Sequence, residues 1–354
     1  MSIITKPLRF GIIGLGFGAN VHAPALFNFP EIEVVGIVGR SEKKASYVAN
    51  KLGISKGFGS IDKLLDQDLD AITIALPPKE LLNAIDKVLG KRLPLICEKP
   101  FGTDYLSSIK LLKKHNINFT NSINFIFAEL NVFLKLKEII DSGIAGKIKS
   151  AEMIWLNESW SHRSNTWSWK TDSDQYGGVI SIFGSHILFF AEWLFGAVQT
   201  IKGESSNSNT IKFSPTESQA AEDYVNCTLS YFSGIKLTCS FGNANQDITL
   251  HRWIVKFEHA IVVIENKSKN YIDFYMKIFH NNGHMQIIKE KKNNVNSLLK
   301  LDDRVIPFSR IVRRFVNSIR AGSMMKPDLH SGARVQQLDN ALRDSIRLKK
   351  IIYL

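Results

Sequence analysis

A glycine-rich run at residues 14–19, GLGFGA, is the first stretch of the sequence that could do chemistry. It fits the pattern G-x-G-x-x-G/A, in which Gly14 makes a tight turn, Gly16 lets the backbone approach a pyrophosphate and Ala19 permits close helix packing. An apolar segment precedes it and a helical pattern follows, so its amide groups would face the phosphates. This context favours dinucleotide binding over a glycine turn that binds nothing. The expected cofactor contacts here are Gly14, Gly16, Phe17, Gly18 and Ala19.

Arg40 and Ser41 end the second apolar segment, where the adenosine ribose of a dinucleotide would lie. An acidic residue there would bind the ribose 2′-hydroxyl, whereas an arginine can pair with a 2′-phosphate. The stretch Val38-Gly39-Arg40-Ser41 contains no acid, so NADP(H) is favoured as cofactor, with NAD(H) as the alternative. The competing interpretation is that Arg40 is simply a solvated residue at a strand end. Leu76 and Pro77, after a further apolar segment, are also expected to contact the cofactor.

The elements that must position these residues alternate between apolar strands and amphipathic helices up to about Ile123. This alternation is typical of a doubly wound parallel sheet, a Rossmann fold, and we assign residues 1–122 to it. The predicted strands are Leu8–Ile13, Glu33–Val38, Ala71–Leu76, Leu95–Cys97 and Asn118–Ser122, and the predicted helices are Glu42–Leu52, Lys79–Leu89 and Asp104–Lys114.

After a predicted long helix at Ala128–Ser142, strands follow one another without helices between them, which indicates a mostly antiparallel open sheet in an α+β domain. We assign residues 123–354 to this domain, with 203–217 as a loop and helices from Asp302 onward. The predicted strands are Lys149–Leu156, Asp223–Phe232, Ile235–Phe241, Trp253–Glu258, Ile261–Glu265 and Tyr271–Phe279.

The composition of the chain limits which molecules it is expected to bind. A net charge of +12 fits an anionic cofactor or substrate, or solvated lysine-rich helix faces, and without a recognised nucleic-acid motif no nucleic-acid partner is expected. The apolar stretch 179–198 contains His186 and Glu192, so a buried helix is expected and no membrane association. Three scattered cysteines and a start without a cleavage pattern favour the cytoplasm.

Further motifs make the chain similar to one family. Glu98-Lys99-Pro100 follows a predicted strand, and Gly143-Ile144-Ala145-Gly146 and Gly177-Gly178 through His186 lie downstream. With the glycine turn, they resemble the glucose-fructose oxidoreductase and inositol dehydrogenase family. The resemblance implies that Glu98 and Lys99 contact the cofactor, with Lys99 pointing at the nicotinamide and the substrate hydroxyl, often beside a cis peptide to proline. An ammonium there would stabilise developing alkoxide charge, and desolvation would lower its pKa toward that of a general base.

His186 matches the histidine that usually shuttles the proton in this family. Relatives commonly carry an Asp four residues before it and another three residues after it, where this chain has Ile182 and Phe189. Either Lys99 and His186 carry the proton transfer themselves, or catalysis is impaired. A structural histidine in a buried helix is the competing interpretation.

Residues 158–170 contain tryptophans among polar and basic residues, in the region where the family places substrate contacts. Indole faces stack on sugar rings, so Trp167, Lys170, Lys99 and His186 are the expected substrate contacts, while packing within a sheet or at a subunit interface would also explain the tryptophans. His162 and His186 lack a third ligand, so no metal site is predicted. The resemblance implies hydride transfer to or from a sugar, cyclitol or nucleotide-linked sugar, by a homodimer or homotetramer. A catalytically weak dinucleotide-binding sensor or partner subunit is the alternative.

Overall fold

The computed structural model describes residues 6–290 and 302–354. The chain forms two compact units, of which the first contains the described residues up to Ile126 together with 302–334, and the second contains 127–290 and 335–354. The predicted domain boundary at 122/123 stays a prediction. Packing divides the chain a few residues later and groups the segment 302–334 with the first unit.

The bounds of the helices and strands in the described residues are as follows. The strands are β1 (Leu8–Ile13), β2 (Ile32–Val38), β3 (Lys56–Phe58), β4 (Ala71–Ile74), β5 (Leu95–Cys97), β6 (Asn121–Ile123), β7 (Ile148–Leu156), β8 (Val198–Ser206), β9 (Tyr224–Tyr231), β10 (Lys236–Gly242), β11 (Leu250–Phe257), β12 (Ala260–Asn266), β13 (Tyr275–His280), β14 (Met285–Lys289) and β15 (Ile352–Tyr353). The α-helices are α1 (Ala23–Phe27), α2 (Glu42–Leu52), α3 (Ile61–Leu65), α4 (Pro78–Gly90), α5 (Tyr105–Lys114), α6 (Asn131–Ser142), α7 (Trp160–Arg163), α8 (Ser185–Phe195), α9 (Val305–Ala321) and α10 (Leu329–Leu348).

The first unit contains a six-stranded sheet in the order β3-β2-β1-β4-β5-β6, with every neighbouring pair parallel. This is the doubly wound arrangement expected from the alternating pattern. Two of its helices are capped by side chains, since the Ser41 side chain accepts a hydrogen bond from the Lys44 amide and the Asp104 side chain accepts one from the Ser107 amide. Each cap satisfies a backbone donor in the first turn of its helix.

The second unit contains a nine-stranded sheet in the order β14-β13-β12-β11-β7-β10-β9-β8-β15. Only the pair of β10 and β7 is parallel among these strands, so the sheet is mostly antiparallel, as predicted. Alternate residues of β9 are buried, because one face of the strand packs on the interior.

Several predicted bounds were wrong. Residues 203–206, predicted as loop, continue β8, which pairs with β9 along its length. The helix predicted from Ala128 begins at Asn131, because Leu130 is extended and separates it from a 3₁₀ turn at Ile126–Glu129.

The helical stretch Ser173–Phe195 is long and apolar enough to cross a membrane. However, 83% of its most apolar segment is buried inside the protein, as in a core helix.

Candidate active site

Four loops of the first unit follow the carboxyl ends of β1, β2, β4 and β5. These strands are parallel neighbours, so their carboxyl ends lie along one edge of the sheet. The structure therefore brings the predicted cofactor contacts of this unit to a single edge, at the point where the strand order reverses. Gly14, Gly16, Phe17, Gly18 and Ala19 follow β1, Arg40 and Ser41 follow β2, Leu76 and Pro77 follow β4, and Glu98 and Lys99 follow β5.

Gly14 and Gly16 are glycines for different reasons. Gly14 has φ of 116°, and a Cβ there would lie 2.2 Å from the carbonyl oxygen of Ala75, so the fold itself requires glycine. Apart from its two chain neighbours, a Cβ on Gly16 would meet no atom of the described residues within 4 Å. The open space at Gly16 fits the close approach of a pyrophosphate to the backbone. A Cβ on Gly18 would lie 3.1 Å from the Ile12 side chain in β1, so Gly18 packs closely on this strand, a role that the glycine pattern assigned to Ala19.

The loop after β2 places a cation at the same edge. The Arg40 side chain is 83% exposed and its guanidinium forms an ion pair with the carboxylate of Glu80, in the first turn of α4. Ser41 is exposed, and its hydroxyl accepts the Lys44 amide at 3.4 Å. Glu80 carries no local sequence signal for this role, because it follows a different strand from Arg40 and only the sheet order brings the two together.

The Glu98 carboxylate is held inside the first unit. It accepts a hydrogen bond from the Asn124 amide and lies 3.2 Å from Nε2 of His22. The His22 ring is fully buried and stacks on Phe308, at 4.1 Å between ring centroids. Glu98 therefore links the helical turn after the glycine run, the end of β6 and α9. A polar His22 inside an apolar stretch was the available sequence signal, but its partners could not be identified from local pattern.

Lys99 is half-buried directly after this carboxylate. Its peptide bond to Pro100 is cis, the isomer that the resemblance implied. Pro100 is buried, and its carbonyl accepts the Gly102 amide at 2.9 Å.

In the second unit, His186 lies in the first turn of α8 and is buried against aromatic rings. Its ring centroid is 5.0 Å from that of Phe127 and 6.2 Å from that of Trp155. Trp155 in turn stacks on His251 at 4.0 Å and on Phe183 at 4.3 Å. Complete burial lowers the pKa of His251 to about 3, so its ring is neutral at neutral pH.

The loop that carries Trp167 and Lys170 is attached to the start of the His186 helix by its backbone. The Gly178 amide donates to the Lys170 carbonyl at 2.8 Å, and the Gly177 amide donates to the Asp172 carbonyl at 2.9 Å. Trp167 is half-buried. Lys170 is exposed, and its ammonium lies 6.0 Å from the ring centroid of Trp169 rather than of Trp167.

A buried polar cluster, which the sequence analysis missed, lies beside this loop. The Arg343 guanidinium lies 4.2 Å from the ring centroid of Tyr176 and donates to Asp339 at 2.8 Å and to the Ser181 hydroxyl at 2.9 Å. The carboxylate of Glu222 accepts the Ile180 amide at 3.1 Å, and burial raises the pKa of Glu222. These contacts fix the backbone that leads into α8.

Across the two described segments of the chain, no group of three His, Cys, Asp or Glu side chains could hold a metal ion. His162 lies among hydroxyl groups: its Nδ1 is 2.8 Å from the Ser159 hydroxyl and its Nε2 is 3.1 Å from the Thr210 hydroxyl. Partial burial lowers the pKa of His162.

Comparison with known proteins identifies the family. Residues 8–116 match the model of the oxidoreductase family with an NAD-binding Rossmann fold, and residues 133–263 match the GFO/IDH/MocA C-terminal domain. The uncharacterized oxidoreductase sll0816 of Synechocystis sp. is 24% identical over 341 residues, which cover 94% of this chain and 92% of that protein.

Solved structures share the whole fold. Levoglucosan dehydrogenase, in complex with NADH and levoglucosan, superposes with a TM-score of 0.84 at 16% identity, and the match covers 99% of both chains. The WlbA dehydrogenase from Bordetella pertussis, in complex with NADH and UDP-GlcNAcA, has a TM-score of 0.79 at 16% identity over 99% of both chains. The family models, the parallel sheet and the glycine turn agree: this chain belongs to the Gfo/Idh/MocA family and is an NAD(P)-dependent oxidoreductase.

Proposed function

We propose that the chain transfers a hydride between a nicotinamide and a secondary alcohol or ketone of a sugar, cyclitol or nucleotide-linked sugar. The observation that carries the proposal is the shared sheet edge, where the open space at Gly16 and the half-buried Lys99 lie in the loops after β1 and β5, two parallel strands with only β4 between them. Levoglucosan dehydrogenase and WlbA, which share the fold, have a sugar and a nucleotide sugar in their respective complexes, and this supports the substrate class.

The chain's residues would divide the work as follows. The glycine turn binds the pyrophosphate, with Phe17, Gly18, Ala19, Leu76 and Pro77 forming the rest of the dinucleotide site. When the substrate is oxidised, its one hydroxyl proton passes to a neutral Lys99 or to a neutral His186, and the Lys99 ammonium stabilises negative charge on the substrate oxygen. The nicotinamide supplies the hydride acceptor. Trp167 and Lys170 orient the substrate ring by stacking and hydrogen bonding.

NADP(H) is the favoured cofactor in this proposal, with NAD(H) also accepted. Arg40 and Ser41 support it, because an exposed guanidinium and a hydroxyl after β2 suit a 2′-phosphate. Glu98 belongs to the proposed dinucleotide site by its place after β5, and its carboxylate is bonded to Asn124 and His22 inside the protein. The same proposal extends to a cytoplasmic homodimer or homotetramer.

A dinucleotide-binding sensor is the second candidate. The observation in its favour is that Ile182 is half-buried and Phe189 is buried, both apolar, at the positions where relatives carry acids. An isoleucine and a phenylalanine supply no carboxylate for proton transfer at these two positions, so slow turnover would follow.

One experiment separates the candidates. Binding of NADPH and NADH is measured by fluorescence titration, and turnover is measured with sugars, cyclitols and nucleotide sugars for the wild type and Lys99→Met. Oxidation by the wild type that Lys99→Met lowers by about a hundredfold or more supports the enzyme. Dinucleotide binding without turnover across the panel supports the sensor, and no dinucleotide binding contradicts both.

A further inference from the structure

The ion pair between Arg40 and Glu80 joins the loop after β2 to the first turn of α4, on either side of the glycine turn. Arg40 follows β2 and Glu80 lies in the helix after β4, and both strands are neighbours of β1. The pair therefore bridges the carboxyl end of β1, which leads into Gly14. The Arg40 side chain is 83% exposed and the Glu80 side chain is 40% exposed, so a ligand at this edge can reach both residues.

The two forms of the cofactor would meet this pair differently. A 2′-phosphate is an anion that pairs with a guanidinium, while a ribose 2′-hydroxyl is neutral and needs no cation. Glu80 already pairs with Arg40, so a phosphate that binds this guanidinium has to displace the Glu80 carboxylate or share the guanidinium with it. The other acidic residue near this loop, Glu42, is paired with Lys63 at 2.8 Å.

We propose that Glu80 is a specificity-determining residue for the cofactor, because its carboxylate competes with the 2′-phosphate for Arg40. NADP(H) binds only when Arg40 exchanges or shares its partner, whereas NAD(H) binds with the ion pair intact. Arg40 alone would favour NADP(H) more strongly over NAD(H), and Glu80 reduces this preference. This inference rests on the proposed function, because it requires that the adenosine ribose of the dinucleotide binds at Arg40.

The test compares dissociation constants for NADPH and NADH, measured by fluorescence titration at one ionic strength. In Glu80→Gln, NADPH should bind about five- to tenfold more tightly while the affinity for NADH changes by less than about twofold. Glu33→Gln is the matched control, since Glu33 pairs with Arg9 at 2.9 Å in the same unit but stands at the beginning of β2, at the opposite edge.

A double-mutant cycle tests whether the effect passes through Arg40. In an Arg40→Ala background, Glu80→Gln should change the ratio of the two dissociation constants by less than about twofold. The proposal is overturned if Glu80→Gln changes the ratio no more than Glu33→Gln does, or if it tightens NADPH equally without Arg40. A wild type that binds neither dinucleotide would overturn the proposed function and this inference with it, whereas the first two outcomes leave the proposed function standing.

Discussion

His22 helps to hold the Glu98 carboxylate in place, together with Asn124. This contact lies inside the first unit and not at the open edge of the sheet. The ring stacks on Phe308 and faces the Glu98 carboxylate at 3.2 Å from Nε2. Since Lys99 follows Glu98 directly, a displaced carboxylate would displace the lysine as well. His22 therefore positions the proposed catalytic lysine without contacting the substrate.

The variant His22→Phe keeps the ring and removes the group that bonds Glu98. A buried carboxylate oxygen then loses a partner, so the free energy of unfolding should fall by about 1–3 kcal/mol. Turnover should fall more than the affinity for NADH, because the glycine turn is unchanged. Urea unfolding, kcat and an NADH titration measure these effects. Equal losses in kcat and in NADH affinity would contradict a positioning role.

His251 gives a pH dependence of stability whose sign follows from its burial. Its pKa is lowered from 6.5 to about 3 in the folded protein. Between these values the unfolded chain binds a proton that the folded chain does not, so the free energy of unfolding falls as the pH drops through this window. The neutral ring accepts a hydrogen bond from Nε1 of Trp253 at 3.0 Å.

Replacing His251 by Gln keeps an acceptor for Trp253 and removes the titrating group. From pH 7 to pH 5, the wild type should lose about 2 kcal/mol of unfolding free energy more than His251→Gln, from the linkage of a group with these pKa values. Urea unfolding at the two pH values measures the difference. An equal loss in both proteins would show that His251 takes up its proton in the folded state.

At the scale of elements, the two glycines of the turn have different effects: Gly14 is needed for folding, and Gly16 for binding of the dinucleotide. Gly14→Ala would place a methyl group 2.2 Å from a backbone oxygen, at a positive φ, and should cost about 2–4 kcal/mol of unfolding free energy. In Gly16→Ala the added methyl group lies more than 4 Å from every other part of the described chain beyond its two neighbours, so stability should change by less than about 0.5 kcal/mol. If a pyrophosphate lies there, the same methyl group should weaken NADH binding at least about tenfold. Chemical unfolding and NADH titration of both variants test the pair. An unchanged NADH affinity in Gly16→Ala would remove the pyrophosphate from this turn.

The elements that could be predicted from the sequence are those with a strong local pattern. β1, α2 and β5 have the predicted bounds, because an unbroken apolar run or a capped amphipathic segment specifies them locally. β8 was not among the predicted strands, since its last residues, GESS, carry no strand pattern and its pairing with β9 holds it in the sheet. Likewise, the predicted site residues after parallel strands share one edge, whereas Glu80, His22 and Arg343 depend on contacts between distant residues.

At the scale of the whole molecule, the first unit is discontinuous in the chain. The helix α9 packs on it: the ring of Phe315 lies 6.2 Å from that of Phe10 in β1, and Phe308 stacks on His22. All three phenylalanines are fully buried. No local pattern marks this return, because an amphipathic helix shows which face is buried and not which sheet it covers.

This arrangement predicts that a substitution near the C-terminus affects the nucleotide-binding unit. Phe315→Ala removes a buried ring from the surface of β1 and should cost about 3–5 kcal/mol of unfolding free energy. NADH binding should weaken as well, since β1 leads into the glycine turn. Phe232→Ala is the control, because Phe232 is 72% exposed in the second unit and its loss should cost less than about 0.5 kcal/mol. Chemical unfolding and NADH titration of both variants provide the comparison. If Phe315→Ala lowered stability without changing NADH affinity, α9 would support the sheet without supporting the site.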